Sequence, residues 1–280
     1  MEKGEHSIPY KWAAMSTIAM GQFISTLDMG AVRIALPYLG SIFQATPDTV
    51  VWVWLINLLI STSLLLTLGR VGDAFGRKKL YTLGLVIFSL GLGLCSLAQG
   101  LVHLVIFRLV QGIGNAMIIA TGNAILITSF SPEERGKALG IMGAVLGMGL
   151  LSGPVLGGFL LDSLGWRSIF YARLPFGIIA TVMAWALLKE QSSPKQEEKF
   201  DLPGAATLFF TLTCLLLAVN RSQSLGWDSP LVVGLSIVGM LFLFFFLVIE
   251  QRAKQPVLDL RLFRSRLFSA ASATHTFLYM

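Results

Sequence analysis

The sequence predicts an all-α, polytopic membrane bundle, and three observations carry that expectation. Hydrophobic residues make up 55% and charged residues 13% of the 280, whereas a soluble domain is about a quarter charged. Apolar runs long enough to cross a hydrocarbon core of about 30 Å as helix recur eight times. Lysine and arginine fall in alternate loops, as positive-inside topology requires. That distribution argues against nucleic acid as the partner of a chain with net charge +6, because a binding face would cluster those charges.

Taken in order, the runs lie at 12–39, 48–69, 80–98, 102–129, 136–161, 166–188, 202–220 and 230–249. The first is too long for a signal-peptide core and reads as a retained helix. Thr46-Pro47 precedes the second run, Ser229-Pro230 the eighth, and Ser131-Pro132-Glu133-Glu134 the fifth. These are helix-start signals, the last a capping box. The N-terminal segment and the even-numbered loops hold Lys3, Lys11, Arg70, Arg77, Lys78, Lys79, Arg135, Lys137, Lys189, Lys195, Lys199, Arg252, Lys254, Arg261, Arg264 and Arg266; the other loops hold Arg167 and Arg221. The N-terminus is therefore expected in the cytoplasm, with the tail after Glu250 returning there.

A ninth apolar run, Leu267 to Met280, reaches only about 21 Å as helix. It reads as a helix begun and not completed, so the chain is expected to be a piece of a longer protein or a truncated product; an interfacial tail helix is the alternative. The expected organisation is a six-helix bundle at 1–190, then a loop, a two-helix hairpin and a second loop at 191–266, then the unfinished helix at 267–280.

Asp28 is the acid well inside an apolar run, at a cost of about 3 kcal/mol on insertion scales. Thr17, Gly21, Ser25 and Asp28 share a helix arc of roughly 80°, a small polar face expected to line a cavity. An intramembrane acid is a candidate for loading and releasing a proton; a hydrogen-bonded structural acid is the alternative. On the fourth run Arg108, Gln111, Asn115 and Gly122 form a second stripe, and Asp28 and Arg108 fall within a few ångströms of each other in depth, at about 6 and 9 Å from the outer surface. An Asp28–Arg108 pair is expected, either a static packing device or one that entering cargo perturbs so that occupancy and protonation are coupled. Arg173, about 10 Å deep, is either a second partner for an acid or a lipid-phosphate contact. Arg33 is expected to snorkel to the outer interface, and Trp52 and Trp54 either to anchor there or to stack on substrate.

The fifth run carries Gly136, Gly140, Gly143, Gly147, Gly149, Gly153, Gly157 and Gly158, with Pro154 among them. Glycine costs about 1 kcal/mol per residue in an exposed helix interior, but in lipid small residues let a second helix approach closely. A smooth groove is expected, with a bend at Pro154.

Several of these stretches also resemble one family. GLLSGPVLGG, Gly149 to Gly158, is similar to the antiporter motif of the major facilitator superfamily at Gly149, Gly153, Pro154, Gly157 and Gly158. LDMGAVRIALP, Leu27 to Pro37, resembles the first-helix motif of its fourteen-helix drug/proton antiporter branch, with Arg33 where Asn is usual. FRLVQGIGNA, Phe107 to Ala116, is similar to the fourth-helix motif. GRVGDAFGRKK matches the conformational loop at Gly69, Asp73, Gly76, Arg77 and Lys78, with Ala74 at a usually basic position. WRSIFYARLPFG, Trp166 to Gly177, resembles the sixth-helix opening with Arg173 in place of Asn. The resemblance implies a six-helix half followed by that branch's inserted helix pair. It also implies a proton-coupled antiporter in the cytoplasmic membrane, exporting amphipathic or cationic drugs, with Asp28 and Arg108 as the coupling pair. Thr17, Gly21, Ser25, Gln111 and Asn115 would then line the cavity, and Asp73 would form a latch to neighbouring helix ends. Alternating access needs two bundles, so the rival expectation is a transport-inactive fragment that acts at most as a binding or assembly partner. A missing C-terminal half or self-association would supply the second bundle.

No enzyme signature is present: there is no G-x-S-x-G, H-E-x-x-H or phosphate loop, and Gly112-Ile113-Gly114 is an incomplete dinucleotide fingerprint. Cys95 and Cys214 sit in separate apolar runs, and His6, His103 and His275 have no ligand-like spacing. Neither a metal nor a cofactor is expected.

Overall fold

The structure is a computed structural model that describes residues 9–190, 202–252 and 270. The expected loops at 191–201 and 253–266, and the ninth run apart from residue 270, lie outside the described residues. Every described element is helical: α1 (Tyr10–Ile42), α2 (Pro47–Val50), α3 (Trp52–Phe75), α4 (Arg77–Ser96), α5 (Leu101–Ser129), α6 (Arg135–Leu164), α7 (Ser168–Tyr171), α8 (Leu174–Leu187), α9 (Leu202–Leu225) and α10 (Pro230–Arg252). Contacts divide the chain into two units, Met1–Glu197 and Glu198–Met280.

Among the described residues seven helical stretches are long and apolar enough to cross a membrane, α2 with α3 and α7 with α8 each counting as one. The 33-residue α1 is not among them. Its middle carries Gln22, Ser25, Thr26 and Asp28, and it is enclosed by α3, α5, α6 and α8. A helix sheltered by protein can carry polar groups that lipid would not accept.

Two breaks set up the rest. Gly76 separates α3 from α4 at φ +111°, a backbone region that side chains strongly disfavour, and its N–H closes α3 on Gly72 O at 3.0 Å. The expected sixth span is interrupted after Tyr171, and α8 restarts at Leu174 with Pro175 in its first turn, where the missing N–H removes nothing the helix needs. Arg173 sits at that restart. The capping box is not formed: α6 begins at Arg135 with Glu134 as its flanking residue and no side-chain cap. The carbonyl of Ser131 instead accepts from the amides of Glu134 and Arg135 at 3.0 and 3.2 Å.

The glycine groove is narrower than expected. Gly149, Gly153 and Gly157 are buried against α1, whereas Gly136, Gly140, Gly143, Gly147 and Gly158 face open space. The reason is angular: steps of four stay on one stripe, and Gly158 lies about 100° round from Gly157. On the facing helix, Gly30 lies so close to Pro154 that a Cβ there would stand 2.8 Å from its Cδ. α6 continues through Pro154 as a single helix.

In the second unit α9 and α10 pack as a hairpin turned at Gly226, φ +79°. Phe210 stacks on Phe242 at 5.2 Å, and Gly239 admits the Leu215 side chain.

Candidate functional site

α1, α5 and the α7–α8 break meet at one carboxylate. Arg108 Nη1 donates to Asp28 Oδ2 at 2.6 Å, and Arg173 Nη1 donates to Asp28 Oδ1 at 2.5 Å. The three residues are 1%, 0% and 4% exposed for Asp28, Arg108 and Arg173. Each guanidinium is also pinned to backbone, Arg108 Nε to Val53 O at 2.9 Å on α3 and Arg173 Nε to Ile169 O at 2.6 Å on α7. Gln111, one turn along α5, accepts from Arg108 Nη1 at 2.7 Å through Oε1. Four helical elements therefore converge on Asp28, and both its oxygens are engaged.

This cluster holds one negative and two positive charges. A buried ion pair gains its Coulomb energy only with good geometry and filled hydrogen bonds. In this conformation a proton on Asp28 would leave two buried guanidiniums with no counter-charge.

Of the two readings open for Arg173, the geometry is that of a second partner for the acid. The sequence signal was its depth, matching that of Arg108. Ser25 and Asn115 are also brought together: Ser25 Oγ donates to Asn115 Oδ1, whose Nδ2 donates to Ser61 Oγ at 3.0 Å, and Ser61 Oγ donates to Gly112 O at 3.2 Å. Asn57, one turn before Ser61, donates to Arg108 O at 3.4 Å. Asn57 and Ser61 form a stripe on α3 whose four-residue spacing is as legible in the sequence as that of α5.

Thr17 and Gly21 lie further from the carboxylate. Thr17 Oγ1 returns to Ala13 O at 2.8 Å, its carbonyl accepts from Tyr81 Oη at 3.3 Å, and Gly21 receives the Tyr81 ring end. Thr17, Gly21, Ser25, Gln111 and Asn115 are all buried in helix contacts here. A cleft of about 490 Å³ begins one residue past Asp28 and is bounded by Met29, Gly30, Arg33, Ile34, Trp54, Leu150 and Pro154. Arg33 is exposed and lies over the Trp54 ring at 5.8 Å.

At the α3–α4 corner, Arg77 Nε donates to Asp73 Oδ1 at 2.7 Å, and the amide of Lys78 donates to Glu190 Oε1 at 3.3 Å. Gly69 faces open space. Glu190 carried no sequence signal, standing beyond its span beside a lysine.

The described residues form a multi-pass helical membrane bundle with a charged cluster buried where α1, α5 and the α7–α8 break meet. The chain matches the family model described as Major Facilitator Superfamily over residues 18–275, and it belongs to that family, whose members are transporters. It is 36% identical over 263 residues to the riboflavin transporter RibZ of Clostridioides difficile strain 630, covering 94% of this chain and 56% of that protein. It is 32% identical to the multidrug transporter protein MdtP of Bacillus subtilis strain 168, covering 90% and 46%. The bacterial homologue of the human lysosomal transporter Spinster, inward-facing and unoccupied, superposes with TM-score 0.55 at 17% identity, covering 88% and 64%; that likeness concerns the fold. The chain spans about half the length of the curated relatives it matches.

Proposed function

We propose that the chain provides the site-bearing half of a proton-coupled antiporter that exports amphipathic small molecules across the cytoplasmic membrane, with its N-terminus on the cytoplasmic side. The observation that supports this most is Asp28 held by Arg108 and Arg173 where α1, α5 and the α7–α8 break converge. Protonation would release those arginines, and the release is unfavourable unless the helices move or cargo enters. Loading a proton and changing conformation are thereby tied together, which is what coupled alternating access needs. A second bundle, from a C-terminal half or another copy, completes the passage.

The test is uptake into everted vesicles carrying the chain with a C-terminal half, using riboflavin, ethidium and fluorescein as cargo. Accumulation of at least one, collapsed by nigericin and indifferent to ATP depletion, is expected. No accumulation, or accumulation that survives loss of the proton gradient, contradicts the reading.

The Asp73–Arg77 latch gives a separable prediction. Asp73 is 43% exposed in its side chain, and exposed pairs contribute about 0–1 kcal/mol. Asp73→Asn is expected to change thermal stability in detergent by less than about 1 kcal/mol while lowering uptake severalfold. A large melting shift would make the corner a stability element.

A further inference from the structure

Among the described residues Arg33 has neither a hydrogen bond nor an ion pair. Its contact is the Trp54 ring, whose centre lies 5.8 Å from the guanidinium carbon, close to the limit of about 6 Å at which a cation is still drawn to a ring face. Arg167, between α6 and α7, is held far better: it lies 4.4 Å over Trp166 and donates to Ala98 O at 2.9 Å. A snorkelling arginine reaches away from apolar surface toward water or headgroups. Arg33 instead lines the cleft of about 490 Å³ between α1, α3 and α6, with Met29 one turn before it and Trp54, Leu150 and Pro154 as further walls. Among the described residues that bound this cleft Arg33 is the single charged one, and the rest are apolar or aromatic. The volume falls within the range of about 300–1,000 Å³ usual for small-molecule sites, which combine apolar walls with a few placed polar groups.

We propose that this cleft binds an aromatic organic anion, its ring against Trp54 and the apolar walls and its anionic group on the Arg33 guanidinium. A cation would meet the positive charge of Arg33 at the cleft wall. A neutral ring would bury apolar area and leave the guanidinium, which has donors and no acceptor, without a partner. An aromatic anion satisfies both features at once, with a charge-assisted, two-pronged hydrogen bond from the guanidinium and ring contact with the indole. The cleft begins one residue past Asp28, so a ligand there packs on the segment of α1 that bears the carboxylate. The inference rests on the transport reading for its biological role, and it narrows the cargo from amphipathic small molecules in general to aromatic anions.

The test is calorimetric titration of the purified 280-residue chain in phosphatidylcholine nanodiscs at fixed ionic strength, with empty discs as the blank. Three probes share one ring system and differ in charge: naphthoate, neutral naphthamide and cationic naphthylmethylammonium. Saturable naphthoate binding is expected, at least tenfold tighter than naphthamide, with no binding of the cation. Arg33→Gln is expected to weaken naphthoate at least tenfold and to erase its advantage over naphthamide, whereas Arg33→Lys keeps the charge and retains part of that advantage. Trp54→Leu is expected to weaken naphthoate and naphthamide alike, severalfold. No naphthoate binding, naphthamide or the cation binding as tightly as naphthoate, or an affinity unchanged in Arg33→Gln overturns the site. Should Trp54→Leu fail to fold, the two variants of Arg33, an exposed residue, decide alone. Repeating the wild-type titration in phosphatidylglycerol discs separates a soluble anion from a lipid phosphate: binding that persists supports the proposal, and binding abolished there assigns the cleft to lipid and overturns it. Binding is read without flux. Naphthoate binding with no gradient-driven uptake of any cargo would sink the transport reading alone, and gradient-driven uptake without naphthoate binding would sink this inference alone.

Discussion

Asp28→Asn is expected to abolish gradient-driven uptake and to destabilise the bundle by about 3–5 kcal/mol, the usual consequence of removing one partner from a buried ion cluster. The substitution is nearly isosteric, so neither effect comes from lost volume. It leaves Arg108 and Arg173 facing each other across an amide, both almost wholly buried. Asp28→Asn combined with Arg173→Asn removes one of the two stranded charges. That double variant is expected to regain a substantial part of the lost stability, a non-additivity well beyond the few tenths of a kcal/mol seen for independent sites, while uptake remains absent. Melting of the purified chains in detergent checks the first half of the statement, and everted-vesicle uptake the second. Additive losses would mean that Asp28 and Arg173 do not act on each other.

Gly153→Leu is expected to be the most damaging change on the α6 stripe. Even its Cβ would stand 2.8 Å from Leu27 O, 2.9 Å from Gly30 Cα and 3.0 Å from Ala31 N. These are backbone atoms of α1 and cannot rotate away, so α1 and α6 must separate. Overpacking of this kind costs about 1–3 kcal/mol. Leu27 adjoins Asp28, so the displacement also moves the carboxylate relative to two arginines fixed on other elements, and uptake should fall with stability. Gly158→Leu is the control: nothing stands within 4 Å of a Cβ there, and the stability of the isolated chain should stay within about 0.5 kcal/mol of wild type. Equal effects at the two positions would contradict the packing described for this face.

Much of this arrangement was legible beforehand because lipid leaves few alternatives. Run length and basic residues gave the spans, and the depth arithmetic for Asp28 and Arg108 rested only on helix rise. Depth says nothing about azimuth. Arg173 could equally have faced lipid headgroups, and what turned it inward was the helix restart at Pro175, which a continuous sixth span did not anticipate. Glycine spacing gave a groove but not its width, since only the stripe of Gly149, Gly153 and Gly157 meets α1. The polar face of α1 was legible as a face, yet Thr17 and Gly21 pack against Tyr81, a residue on α4 that only the tertiary fold brings there.

In the proposed mechanism Asp28 carries the exchanged proton, and proton movement can be followed directly. Proteoliposomes containing the chain with a C-terminal half and an internal pH dye should show cargo-triggered proton flux in the wild type. The Asp28→Asn, Arg173→Asn double variant is the decisive comparison, because its charge count allows it to fold: no cargo-triggered flux from a folded double variant is the predicted result. Flux at the wild-type rate from that same folded protein would contradict the account and leave Asp28 as a packing residue.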